Sequence, residues 1–418
     1  MIWLASAVVL VTLVMGVYLL IIQGATRYKP LRWWVLAVSF AWGAVGAVAI
    51  AVVGNAVGHG IMTWSLGADA ESEQVMGATA SFIAPLVEES AKGLCVLALF
   101  LYSRYRSREL AGPLDGVVIG GIIGLGFSFT EDIGYVASAG HEAGGPVFLK
   151  VFVMRSLAFG LGHATYTAMT GLGFGIAAIS RSKSVRWLAP MAGLALAMAL
   201  HFGRNFSLTY LEAQGGPALA LGLMWLTNFL FLALIVGLAF YDRKIIRQGL
   251  AGEVGGLLTS AEYQHVTNWK MMLPFWSFFR LQANPGGYLV ARRKQVALIR
   301  LAFLRFTDEH GATGLAGRYL PPPIQGWQGQ TLALSSAPAA VDGRIVITTA
   351  DLAGVDKVTI TAVDFAPPPK LAPAAPNQYW VHAQTATGQQ FHLSAADLHG
   401  QQLVYEIQSA TQAGVYLA

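Results

Sequence analysis

The chain has 418 residues, of which 55% are hydrophobic and 12% charged, about half the charge of a typical soluble domain, so an ordinary water-soluble globule is excluded. Its net charge of +5 does not point to nucleic acid, because much of the basic excess lies in short loops beside apolar runs, where it orients a chain in a bilayer. A single cysteine, Cys95, leaves no intrachain disulfide framework or thiolate metal cluster.

Apolar runs long enough to cross the hydrocarbon core predict seven spans, at 2–22, 33–56, 76–102, 114–138, 147–179, 187–210 and 217–240. The first has the length of a signal peptide but no basic leading region and no clear small-residue cleavage site, so it reads as a retained helix. The fifth is long and Gly-rich, and a tilt or break is expected near Gly160, Gly162 or Gly171. Basic connections alternate with neutral or acidic ones. Arg27, Lys29 and Arg32 follow the first span, Arg104, Arg106 and Arg108 the third, Arg181, Lys183 and Arg186 the fifth, and Arg243, Lys244 and Arg247 the seventh. The intervening loops carry Asp69, Glu71 and Glu73, then Glu142, then Glu212. The positive-inside rule then places the N-terminus outside and the C-terminal region in the cytoplasm.

Beyond a transmembrane domain at 1–240 the character changes. Residues 241–318 are basic and aromatic, with Trp269, Phe275, Trp276, Phe278, Phe279 and Arg280 in one cluster and Arg292, Arg293, Lys294 and Arg300 in another. They read equally as an amphipathic juxtamembrane region on an anionic leaflet or as a packed helical subdomain. Pro321 to Pro323 and the run from Pro367 to Pro376 act as linkers within 319–418. Short β-prone runs at 344–349, 357–363, 379–384 and 403–407 predict a small β-rich cytoplasmic module there. The fold class expected is thus an all-α polytopic membrane protein of about seven transmembrane helices, followed by that basic region and β-rich module.

Several polar groups interrupt the spans: Glu88, Glu89, Glu131, His163, His201 and, one turn after it, Asn205. A charge at the centre of a membrane helix costs roughly 2.5 to 3.5 kcal/mol on insertion scales, so several of them on different helices read as a functional site. At 1.5 Å per residue, Glu88 falls near mid-span, Glu131 and His201 in the outer half of theirs, and His163 near the middle of the fifth. Four residues from four helices thus reach similar heights. Lys92 lies one turn from both Glu88 and Glu89, so it can neutralise one carboxylate and leave the other as a base. His201 and Asn205 share a helix face, and Tyr135 and Thr167 lie one turn beyond Glu131 and His163 as supporting partners. Asp132 reads as a neighbour near the water interface. Each group also has a structural reading: an ion pair of the glutamates with Lys92, Arg155 or Arg204, or helix-to-helix hydrogen bonds from His163 and Asn205. The glycines around Glu131 and His163 fit close packing as well as a cavity.

Glu88-Glu89-x-x-Lys92, Phe127-x-x-x-Glu131, His163 within Gly162-His163-Ala164, and His201-x-x-x-Asn205, in order on successive spans, resemble the PrsW family of intramembrane proteases. That family lies within the wider group of CAAX prenyl endopeptidases and bacteriocin-processing membrane proteases. CAAX endopeptidases have histidine where this chain has Glu131, so prenyl-cysteine specificity does not carry over. The resemblance implies an integral protein of a bacterial-type plasma membrane. Its partners would be the lipid bilayer and a membrane-anchored protein substrate such as an anti-sigma factor-like regulator.

Two mechanisms fit the same residues. In one, inferred from the CAAX relatives, Glu88 or Glu89 takes a proton from water, a second polar residue holds that water, and His201 with Asn205 stabilises the oxyanion. In the other, Glu131, His163 and His201, with Glu88 or Glu89, hold a divalent metal such as Zn2+ whose water attacks; the His-Glu-x-x-His pattern of soluble zinc proteases is absent from the sequence. The competing classes are a proton-coupled transporter or channel with a buried Glu/His relay, and a non-catalytic membrane scaffold. No internal repeat supports the transporter.

Overall fold

The structure is a computed structural model in which the described residues are 1–26, 31–107, 109–211, 215–254 and 260–268, with 298–299, 302–303, 306 and strand segments within 331–417. The named residues of the basic and aromatic clusters at 269–280 and 292–300, both proline linkers, and Arg27, Lys29, Arg108 and Glu212 lie outside them. The chain divides into two compact units at Arg243/Lys244.

The first unit is helical. Its elements are α1 (Ile2–Gly24), α2 (Trp33–Leu66), α3 (running through Glu73–Ala78, Thr79–Ile83 and Ala84–Tyr102), α4 (Pro113–Ala143), α5 (Gly145–Ile179), α6 (Lys183–Tyr210) and α7 (Gly216–Leu250), whose last turns belong to the second unit. Six of them, all but α3, are long and apolar enough to cross a membrane. The physical reason α3 stands apart is Glu88, Glu89 and Lys92 within one stretch of it.

Helix α4 is the hub. Nearly everything from Pro113 to Ser128 is buried, and α4 packs against α1, α2 and α5, with α6 on the far side of α5. In a bilayer, lipid is as apolar as leucine, so helices associate where small residues let backbones meet. Gly116, Gly120 and Gly124, one per turn of α4, face the α5 backbone at Gly171, Thr167 and His163, and an added Cβ at any of them would strike a carbonyl of α5. This row of glycines brings the backbone of His163 against the helix that carries Glu131. The glycines near the site therefore serve close packing.

The expected irregularity in the fifth helix is found immediately before His163. A π-helical turn at Val153–Ala158 leads into a break at 159–161, and α-helix resumes at Gly162. Gly160 sits where a side chain would meet the Ser156 carbonyl and the Tyr18 ring. The break thus places His163 in the first turn of a new half-helix.

The second unit contains α8 (Ser260–Val266) and strands β1 (Thr331–Ala333), β2 (Ala340–Val341), β3 (Arg344–Ile345), β4 (Lys357–Asp364), β5 (Gln378–Gln384), β6 (Gln390–Ala396), β7 (Val404–Ser409) and β8 (Gly414–Leu417). An antiparallel sheet has the order β1-β4-β5-β6-β7-β8, and β2 and β3 form a separate hairpin. A register shift interrupts the β4–β5 ladder between Ile360 and Ala362.

Candidate active site

The polar groups of α3 to α6 meet in one buried network. On α3, Lys92 is wholly buried and donates to Glu89 Oε1 at 2.8 Å and, more distantly, to Glu88 Oε2 at 3.5 Å. Its ammonium also lies 2.9 Å from His163 Nδ1 on α5 and 3.8 Å from the centre of the Phe127 ring on α4. Phe127 is thus a cation-binding face under Lys92 and touches His163 as well, ring centres 5.0 Å apart.

The two adjacent glutamates are held differently. Glu89 is fully buried and receives Lys92, the Thr167 hydroxyl at 2.9 Å and His201 Nδ1 at 3.2 Å. Glu88 is held by longer bonds only, from Lys92 at 3.5 Å and from Asn55 Nδ2 of α2 at 3.3 Å. Asn55 Oδ1 is buried and engages nothing among the described residues. Glu89 is therefore the more closely held carboxylate, and Glu88 the one with fewer and longer bonds. Thr167, placed by spacing beside His163, supports Glu89 instead.

The partners also fix the imidazole tautomers. His163 Nε2–H donates to Glu131 Oε2 at 2.9 Å, which leaves Nδ1 as the acceptor facing Lys92. His201 Nδ1–H donates to Glu89, which leaves Nε2 as the nitrogen with the lone pair. A carboxylate behind an imidazole raises the basicity of the remaining nitrogen. The rings of His163 and His201 meet edge to face at 4.9 Å, and Tyr166 stacks on His201 at 5.2 Å.

Glu131 lies behind His163. Arg155 joins Glu131 at 2.7 Å and Asp132 at 3.1 Å, and its guanidinium rests on the Tyr135 ring at 3.8 Å. Asp132, read from the sequence as a neighbour near the water interface, is buried within the protein and receives both Arg155 and the Ser156 hydroxyl, 2.9 Å away. The turn of α5 that carries Arg155 and Ser156 is brought onto α4, and an unpaired carboxylate there would be costly. Asn205 is not part of the carboxylate and imidazole network. Its amide donates to the Ala80 carbonyl at 2.8 Å, and its oxygen accepts from Arg204 at 3.1 Å.

One ligand atom each from Glu88, His163 and His201 lies within 4.8 Å of the others, and all three residues are buried. Two nitrogens and an oxygen are a suitable donor set for a zinc-like ion with an open position. The ammonium of Lys92 lies within hydrogen-bond reach of two of these donors, Glu88 and His163 Nδ1, so an ion held there would have to displace it. Of the sequence-expected set, Glu131, His163 and His201 with Glu88 or Glu89, the structure brings Glu88, His163 and His201 together, and Glu131 bonds His163 Nε2.

This is the arrangement in which a family match can be judged. Residues 31–238 match the model of the PrsW family intramembrane metalloprotease. The chain carries a PrsW family protease domain. The PrsW match spans α2 to most of α7 and takes in every residue of the buried network. It places proteolysis above the transporter and scaffold readings. No curated protein and no solved structure matches the chain.

Three site residues were not found by reading the sequence: Asn55, Tyr166 and Phe127 as a support for Lys92. Asn55 carried a legible signal, a lone amide in an apolar run; the other two are ordinary membrane aromatics until the fold brings them to the histidines.

Proposed function

We propose that this PrsW protease is an endopeptidase that uses a glutamate-activated water to cut a peptide bond in or near the membrane, in a membrane-anchored protein substrate such as a single-span regulator. The observation that carries the reading is the unequal holding of Glu88 and Glu89. Glu88 Oε takes the proton as water attacks the carbonyl carbon, and passes it to the amide nitrogen as the C–N bond breaks. Asn55, bonded to Glu88 and with a free buried oxygen, holds that water. Glu89, through Lys92, Thr167 and His201, fixes the frame. Glu88, His163 and His201 would hold a divalent ion if one is bound, which would supply Lewis-acid activation of the water.

We also infer that α3 is a seventh crossing. Arg32, at the start of α2, pairs with Glu109, beyond α3, through both its backbone N–H at 3.2 Å and its side chain at 2.9 Å. If α2 crosses, a chain that returns to Arg32 by residue 109 must cross again. This supports basic loops on one side, the N-terminus outside and the β-rich unit in the cytoplasm.

The test compares new protein N-termini in membranes of cells expressing, at matched levels, the wild type or the Glu88→Gln, Glu89→Gln double variant. Fragments confined to the wild type are expected, and they identify the substrate and the depth of cleavage. Identical patterns across growth and stress conditions would refute the protease reading.

A further inference from the structure

Among the described arginines near the site, one has no ion-pair contact. Arg155 is spent on Glu131 and Asp132. Arg204 forms no ion pair among the described residues. It donates to Asn205 Oδ1 at 3.1 Å and leans over the Phe159 ring at 5.4 Å, and its Nε is buried without an acceptor. A guanidinium stays charged at any working pH and brings a rigid fork of donors, and a buried N–H left unpaired calls for an explanation.

The explanation lies in what Arg204 faces. A small cavity of about 10 Å³, room for about one water-sized group, is lined by Arg204, Arg155, His163, Tyr166 and Met224, among others, and by Asp132, whose carboxylate is taken by Arg155 and Ser156. It shares His163 with the Glu88/His163/His201 triad, and Arg204 stands one turn after His201 on α6. The cavity is therefore polar, bordered by one member of the triad, and the size of one oxygen atom with its donors.

We propose that Arg204 supplies the oxyanion-binding group and that Asn205 is a positioning residue that orients it. Asn205 has committed its amide N–H to Ala80 and its oxygen to Arg204, which fixes the guanidinium from behind. In the reaction, the water oxygen bonds to the carbonyl carbon and the carbonyl π pair moves onto oxygen. That oxyanion accepts from Arg204 Nε–H, the water proton going to Glu88. The pair returns when the C–N bond breaks and the nitrogen takes the proton. The assignment rests on the protease reading above.

Its test follows the rate at which wild-type-specific fragments appear in membranes, at matched expression, for Arg204→Gln, Arg204→Lys, Arg204→Ala, Asn205→Ala and the Arg204→Ala, Asn205→Ala pair. Loss of one oxyanion donor lowers turnover by about 10² to 10³. Arg204→Gln and Arg204→Lys are expected to lose that much with substrate affinity unchanged, Asn205→Ala to lose less, and the pair to be no worse than Arg204→Ala. Added guanidinium ion is expected to restore part of the Arg204→Ala rate and none of the Asn205→Ala rate, a response that a structural defect would not give. Arg204→Lys keeps the charge, so it remains informative if Arg204→Gln inserts poorly. Arg204 variants cleaving within about threefold of the wild type, with Asn205→Ala severely impaired, would overturn the assignment and leave the protease reading intact. Absence of wild-type-specific fragments would remove both.

Discussion

Lys92 decides the electrostatics of the site at the scale of single residues. With no exposed surface, it bonds Glu89 closely, Glu88 loosely and His163. Removing one partner of a buried charged pair leaves the other uncompensated and costs about 3 to 5 kcal/mol. Lys92→Met is therefore expected to lower the thermal midpoint in detergent sharply, whereas Asn205→Ala, a partly exposed group, shifts it little. The same residues govern metal retention. His163→Ala and His201→Ala are expected to lose any divalent ion that the purified wild type carries, and Asn205→Ala to keep it, as read by elemental analysis per mole of protein. Equal metal in all of them would place the ion elsewhere. Much of this scale was legible in the sequence, since ionisable groups in apolar runs are costly enough to need partners. The partners themselves were not: a spacing of four residues says that Asn205 shares a face with His201, but only the approach of α3 shows its amide taken by Ala80.

Helix packing determines whether those side chains meet. The glycine row of α4 against α5 sets the distance between Glu131 and His163, 2.9 Å between their bonded atoms. Gly124 has the His163 backbone directly above it. Gly124→Val must push α5 away, so it is expected to abolish cleavage while leaving insertion intact, whereas Gly134→Ala, with open space around it, is expected to behave as the wild type. Fragment yield at matched membrane levels checks both. The break in α5 was legible because glycines clustered where a long span needed one; its position, at 159–161, depends on Tyr18 and Ser156 pressing on Gly160, which no local pattern reveals. In the second unit, the expected runs overlap β3, β4, β5 and β7, whereas β1, β2, β6 and β8 were not expected, because β6 has only Phe391 among the strand-favouring residue types and the other three are two to four residues long.

For the whole molecule, the outer faces of α1, α2 and α6 are apolar and exposed, as a lipid-facing surface requires. Trp33 and Trp187 are exposed beside basic loops, and Trp64 is exposed at the opposite end of α2, the pattern of interfacial anchors. Trp33 and Trp64 lie about 46 Å apart along a straight helix at 1.5 Å per residue, close to a bilayer with its headgroups. In a Cys95→Ser background, a cysteine at Asp69 is expected to react with an impermeant maleimide in intact cells, and one at Lys183 only after permeabilisation. The reverse pattern would invert the orientation. Composition made membrane embedding the most readable property, because bilayer thickness acts on whole segments; the span expected at 76–102 carries Glu88, Glu89 and Lys92, which set α3 apart from the six apolar helices.

The most direct measurement compares Glu88→Gln and Glu89→Gln singly, each at matched insertion, on the substrate that the N-terminal comparison identifies. Glu88→Gln is expected to lose about 10² to 10⁴ in turnover with its thermal midpoint near that of the wild type, and Glu89→Gln to lose stability along with activity. Cleavage by Glu88→Gln at the wild-type rate would contradict the account.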